Sequence, residues 1–233
     1  MGEWEGFGYK IEYMVQVSIA SPCNDSGKTS LLLSVLSAFP RSFSAAKFTT
    51  IYSEGQFCPV GNTGCPCHQL EGDFLLCENL DVLGQPETDT GRMVQAGAQK
   101  VLWGVSRPQG YPELVKQVRN IIPNQSVNLL TEGNSVLKYL RPDLLLFVVN
   151  PSLQWELRKK DSNYLMEVAD FIIINQFLNK TTTNLTQIHS ELQEALALHN
   201  KKQIQGEWLK PLDQWKDQRL FEAIQSLISK FST

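Results

Sequence analysis

One stretch of thirteen residues narrows the fold more than any other, Ser18–Ser30, SIASPCNDSGKTS. An apolar, β-branched segment, Tyr13–Ala20, leads into Pro22-Cys-Asn-Asp-Ser-Gly27-Lys28-Thr29. An apolar helix, Lys28–Phe39, follows and is stopped by Pro40. Strand, tight loop and helix in that order are the opening unit of an α/β sheet protein. Gly27-Lys28-Thr29 matches the end of the phosphate-loop pattern G-x-x-x-x-G-K-[ST], with Pro22 in place of the first glycine. The chemistry depends most on that end. Backbone N–H groups around Ser26–Thr29 form a concave nest at a helix N-terminus, where anions are favoured. Lys28 is placed to neutralise β- and γ-phosphates, and the Thr29 hydroxyl to ligate Mg2+. The expected phosphate-binding set is Asn24, Asp25, Ser26, Gly27, Lys28, Thr29 and Ser30. Pro22 has no N–H and a fixed φ near about −65°, so the entry turn must differ from the usual one.

The remaining segments fit the same architecture. Ala45–Tyr52 (AAKFTTIY), Lys100–Val105 (KVLWGV), Ser126–Thr131 (SVNLLT), Asp143–Asn150 (DLLLFVVN) and Asp170–Asn175 (DFIIIN) read as strands, with Phe74–Cys77 a short further candidate. Thr88–Ala98 and Tyr111–Ile122 read as helices; Thr88 or Asp89 caps the first, and Pro112 and Glu113 suit the first turn of the second. Near-continuous apolar strands separated by helices indicate a parallel sheet covered on both faces. Thr181–His199 and Gln214–Phe231 read as amphipathic helices, with Lys201–Pro211 holding at most one short strand. The expected fold is a P-loop NTPase three-layer α/β sandwich, in which a mostly parallel sheet of six or seven strands carries a Cys-rich insert after the second strand. Residues 1–233 are expected to form a single domain, with 53–77 as the insert and 181–233 as its C-terminal helical part.

Composition excludes some functions. Lys and Arg number 21 against 24 Asp and Glu, a net charge of −3, so phosphate neutralisation along a nucleic acid is not expected. No apolar run approaches the roughly 20 residues of a membrane helix, and Met1–Lys10 carries two Glu and no apolar signal core. A cytoplasmic protein is expected. The 5 cysteines, an odd number, argue against a disulfide framework.

The stretch NDSGKTSLL resembles the phosphate loop of the molybdopterin-guanine dinucleotide biosynthesis protein B (MobB-like) family, within the SIMIBI class of P-loop NTPases. Three further places agree in order. Lys47-Phe-Thr resembles a K-H-D at the end of the second strand. Asp89-Thr-Gly-Arg92…Gln95-Ala-Gly-Ala98 resembles D-S-x-R-x-x-x-A-G-A, and Leu130-Thr-Glu132-Gly133-Asn134 resembles L-V-E-G-F. The similarity covers roughly residues 13–150. It implies GTP or ATP with Mg2+, a role in cofactor or metal-centre maturation, a client metalloenzyme or cofactor-synthesis protein, and a homodimer.

Four residues outside the loop are candidates for the nucleotide site. Glu132 closes an apolar strand before a glycine, where a carboxylate faces the ligand crevice and holds the metal's water shell or orients a water, or else is an ordinary strand-end acid. Asp89 and Arg92 stand at a helix start, and serve metal and phosphate or else cap the helix and face solvent. Lys47 faces a γ-phosphate or substrate, or snorkels. Asn175 ends a strand resembling the one that closes in N-K-x-D in G proteins of this class. Here it reads Asn175-Gln-Phe-Leu178, so the guanine-reading Lys and Asp are missing. Asn175 then contacts a base edge or caps a turn. Lys28, Asp89 and Glu132 form the expected catalytic set.

Cys58, Cys65, Cys67 and His68 fall within eleven residues among Gly and Pro, and Cys77 follows nine residues later. Ligands of this type suit a tetrahedral Zn2+, or an iron–sulfur cluster if Cys77 joins. A redox dithiol and cysteines without a role remain alternatives. Three functions stay open at this point: an NTPase assisting cofactor or metal-centre maturation, a small-molecule kinase or ATP-dependent synthetase, and a non-catalytic metal-stabilised interaction module.

Overall fold

The computed structural model describes residues 14–51, 70–122, 128–150, 159–175, 190, 202–206 and 218–231, the strand 202–206 by its backbone alone. Eight strands form one sheet: β1 (Gln16–Ala20), β2 (Phe43–Thr50), β3 (Phe74–Cys77), β4 (Val101–Ser106), β5 (Asn128–Glu132), β6 (Leu144–Val149), β7 (Phe171–Asn175) and β8 (Lys202–Gly206). Their order is β3-β4-β2-β5-β1-β6-β7-β8, one strand more than the upper expectation. Every pairing is parallel except β3 with β4. The helices are α1 (Lys28–Ala38), α2 (Leu80–Leu83), α3 (Asp89–Gln95), α4 (Tyr111–Ile121), α5 (Ser162–Val168) and α6 (Arg219–Phe231).

Burial explains the topology. β1, β6 and β7 are buried along their whole length, as central strands covered on both faces require. Two apolar clusters lie on opposite faces of the sheet. One joins Val17, Ile19, Leu130, Leu146 and Ile173 to Leu31, Leu32 and Val35 of α1, Met93 of α3 and Leu220 and Ile224 of α6. The other joins Ala46, Phe48, Phe147 and Ile172 to Leu114, Val115 and Val118 of α4 and Leu165 and Met166 of α5. This is the expected three-layer α/β sandwich with a mostly parallel sheet.

Among the described residues, β2 begins at Phe43, earlier than its sequence suggested, because Phe43 is fully buried against Phe39 at 6.2 Å. Thr88, not Asp89, caps α3, its hydroxyl accepting from the Gly91 N–H. The short helices α2 and α5 give too few turns for a readable period. Phe221 of α6 stacks on Phe39 at 5.0 Å, so it belongs to the core. The helix expected at 181–199 (apart from Ser190) lies outside the described residues. So do Cys58, Cys65, Cys67 and His68. No helix among the described residues is long and apolar enough to cross a membrane.

One polar pair crosses the centre of the sheet. Ser18 and Thr131 are fully buried on neighbouring strands, their hydroxyls 2.7 Å apart. Ser18→Ala leaves the Thr131 hydroxyl without that partner and is expected to cost about 1–3 kcal/mol. The double change Ser18→Ala/Thr131→Val removes both polar groups and should cost less than the single change, as read by urea unfolding.

Candidate functional site

The direction of the parallel strands dictates where a site can form. β5 and β6 flank β1, so the chain crosses from one side of β1 to the other between them. At such a switch point a crevice opens beyond the C-terminal ends of the strands. The loop leaving β1 stands there and runs into α1.

Gly27 sets the loop's last turn. It caps α1 in the left-handed region, with φ 100° and ψ 17°, a conformation that glycine adopts without a Cβ penalty. Asp25 also has positive φ, and Asn24 and Asp25 are the exposed tip. The Ser26 side chain is buried and its hydroxyl donates to the Cys23 carbonyl at 3.0 Å. Beside the buried Pro22, the entry turn is held from outside the loop. The Asn134 side chain brackets Ser21, accepting from its N–H at 3.2 Å and donating to its carbonyl at 2.9 Å.

Lys28 and Thr29, at the start of α1, point their functional groups back into this crevice. The Lys28 ammonium donates to the Ser21 hydroxyl at 2.8 Å and to the Cys23 carbonyl at 3.5 Å. Burial lowers its pKa from 10.5 to about 8; Glu132 opposes that shift, and the charges of Lys159 and Lys47 reinforce it. The Thr29 hydroxyl donates to Glu132 Oε2 at 2.8 Å. Glu132 ends β5, paired with Ile19 on one side and Lys47 on the other, and is only 6% exposed. The turn after it demands Gly133, whose φ is 143° and where a Cβ would meet the Phe48 carbonyl oxygen at 3.0 Å.

The other sequence candidates divide. Lys47, near the end of β2, is ion-paired with Asp89 at the first turn of α3, and Arg92 lies 3.8 Å from the other Asp89 oxygen. Asp89 is therefore neutralised by two cations, and the Thr29 hydroxyl is met by Glu132. Asn175 lies beneath the loop: it is 1% exposed and its amide donates to the Ser26 carbonyl at 3.1 Å. A Cβ on Gly27 would fall 2.1 Å from that amide nitrogen. Its observed contact is with the loop backbone. Ser30 is half-buried in the first turn of α1. Cys77 packs against the apolar cluster on the α1 face of the sheet. Among the described residues, no group of three or more His, Cys, Asp or Glu is placed to hold a metal ion.

Sequence reading missed three supports of the loop: Asn134, Lys159 and Asp161. The Lys159 N–H donates to the Pro22 carbonyl at 2.9 Å, and Asp161 accepts from Asn134 at 3.4 Å. Only the neighbour of Glu132-Gly133, Asn134, carried a local signal.

Thr29 and Glu132 present hard oxygen donors to a site that also holds a buried ammonium. Mg2+ takes one or two protein oxygens, keeps waters and accepts phosphate oxygens for the rest. The residues present fit that ion together with a polyphosphate.

No protein-family model matches the sequence, and no curated protein matches it. Among solved structures, the chain is similar to the GDP complex of the signal recognition particle 54 kDa protein from Aeropyrum pernix K1. The identity is 12% and the TM-score 0.41, covering 99% of this chain and 52% of that one. This chain thus spans about half the length of that protein's chain. Likeness at that level adds nothing to what the geometry of the site says about a ligand.

Proposed function

We propose that this chain binds a nucleoside triphosphate, GTP or ATP, with Mg2+ at Ser21–Thr29 and hydrolyses it slowly in support of cofactor or metal-centre maturation. One observation carries the nucleotide reading: the hydrogen bond from Thr29 to the buried carboxylate of Glu132, one residue from Lys28, at the end of the strand beside β1. A strand-end acid serving only the fold has no need of a hydroxyl from the helix that follows a glycine phosphate loop.

The residues divide the work. Backbone N–H groups at the start of α1 receive phosphate oxygens, and Lys28 neutralises their charge. Thr29 and Glu132 would hold the magnesium, directly or through its waters. When bound, Mg2+ supplies charge neutralisation on the β- and γ-phosphate oxygens. Asn134 and Asn175 keep the loop in its binding shape from two sides. The maturation role and the client protein rest on the MobB-like resemblance of the sequence. The zinc or iron–sulfur reading rests on Cys58, Cys65, Cys67, His68 and Cys77.

The test uses protein purified without chelator. Calorimetry with MgATP and MgGTP analogues should give micromolar binding of at least one; absence of binding to both defeats the reading. Bound Zn and Fe are measured on the same sample, with Cys65→Ser/Cys67→Ser as the control. Glu132→Gln should lower the affinity gained from Mg2+ about 10- to 100-fold and leave metal-free binding nearly unchanged. Equal losses with and without Mg2+ would remove Glu132 from the metal site.

A second reading has its own observation. Lys47, Asp89 and Arg92 form a charged cluster beside Glu132 and would suit an anionic acceptor in a kinase or synthetase. Nucleotide consumption stimulated by a small molecule that becomes phosphorylated would select it.

A further inference from the structure

Lys159 lies at the start of the segment that leads into α5, 131 positions from Lys28 in the chain. Its backbone N–H donates to the Pro22 carbonyl at 2.9 Å, and the Ser162 hydroxyl reaches the same carbonyl at 3.5 Å. Asp161 meets Asn134, the residue that brackets Ser21. The 159–162 segment thus meets the first half of the loop twice, at the Pro22 carbonyl, and a third time through Asn134.

This attachment sets the backbone of Lys159 against the loop. The Lys159 charge acts on Lys28, and Lys159 in turn feels Cys23 and Glu132. Its pKa is lowered by burial, with Asp161 the main opposing charge. Lys47 is not equivalent, because Asp89 pairs with it. Among the described residues Lys159 makes no such ion pair. Two partly desolvated ammonium charges acting on one site repel each other, and a polyanion between them relieves the repulsion. The position also answers the Pro22 substitution. Proline withholds an N–H in the half of the loop where the pattern carries glycine, and that is the half to which Lys159 is attached.

We propose that the Lys159 ammonium is a second phosphate-binding cation, which joins Lys28 on the polyphosphate of the bound nucleotide. The inference rests on the nucleotide reading above and deepens it. The part of the affinity that Lys159 supplies should follow phosphate charge and not the base.

The experiment compares wild type, Lys28→Ala, Lys159→Ala, Lys159→Gln and Lys159→Arg by calorimetry with MgATP, MgGTP and inorganic tripolyphosphate. Lys159→Ala and Lys159→Gln should weaken whichever of these the wild type binds by a similar factor, about 10- to 100-fold, and Lys159→Arg should restore most of the loss. Thermal stability should change little, since the backbone bond to Pro22 survives every one of these changes. Lys159→Ala binding like wild type while Lys28→Ala does not overturns this inference and leaves the nucleotide reading intact. Loss of affinity with a matching loss of stability and no rescue by arginine makes Lys159 structural, and also overturns it. A wild type that binds neither nucleotide nor tripolyphosphate overturns both readings.

Discussion

Lys28→Ala is expected to weaken nucleotide binding on the order of 100-fold or more, about 3 kcal/mol, without lowering the stability of the free protein. The two halves of this result have one cause. In the free protein the Lys28 ammonium is buried, and its charge is disfavoured enough to bring its pKa down to about 8. Its hydrogen bonds to Ser21 and Cys23 recover only part of its lost hydration. A polyphosphate supplies the missing counter-charge, so the desolvation cost of the Lys28 charge returns as affinity. The pH dependence follows with a definite sign. The unfolded chain keeps this proton up to about 10.5 while the folded chain releases it near 8. The unfolded state therefore binds more protons between those values, and this residue's contribution makes the free protein more stable as pH rises through that window. Affinity moves the other way, falling above about pH 8 as Lys28 deprotonates in the free site. Urea unfolding and calorimetry across this range measure both trends. Lys28→Ala should abolish the first and most of the second. A variant that binds nucleotide like wild type would instead favour the interaction-module reading.

What the sequence made legible follows from distance along the chain. Gly27, Lys28 and Thr29 are consecutive, and their order after a strand and before a helix made the strand–turn–helix unit legible without any tertiary knowledge. Glu132 was legible because an apolar strand ends on it and a glycine follows. The partners that hold the loop were not. Asn134 meets Ser21 across 113 positions and Asn175 meets Ser26 across 149. Such pairings are created by the order of strands in the sheet, which no local period records. Asn175 shows the consequence. Its place at the end of β7 was visible, but β7 is two strands from β1, and only the assembled sheet turns its amide onto the loop backbone. Lys47 shows the converse. Its position near a strand end suggested a phosphate ligand, and the Asp89 carboxylate brought by α3 neutralises it.

That long-range contact makes Gly27→Ala the most damaging small substitution expected in the loop. Two penalties act together. A φ of 100° places an L-residue in the left-handed region, at about 1–2 kcal/mol. The new methyl also lies 2.1 Å from the Asn175 amide nitrogen and 3.2 Å from its carbonyl carbon, far inside contact distance. Asn175 is fully buried under the loop and cannot swing into solvent. Either its bond to the Ser26 carbonyl breaks or the loop lifts, at about 1–3 kcal/mol. The expected total is on the order of 2–5 kcal/mol in urea unfolding, with nucleotide binding lost because the N–H groups that receive phosphate move with the loop. A double-mutant cycle separates the causes. Asn175→Ala removes the clashing atoms, leaving a Cβ at an ordinary 3.8 Å. Gly27→Ala/Asn175→Ala should therefore be less destabilised than the sum of the two single changes, and the left-handed strain should remain as the residue of the cycle. Strict additivity would mean that the methyl never meets Asn175. The cost of Gly27→Ala would then be backbone strain alone.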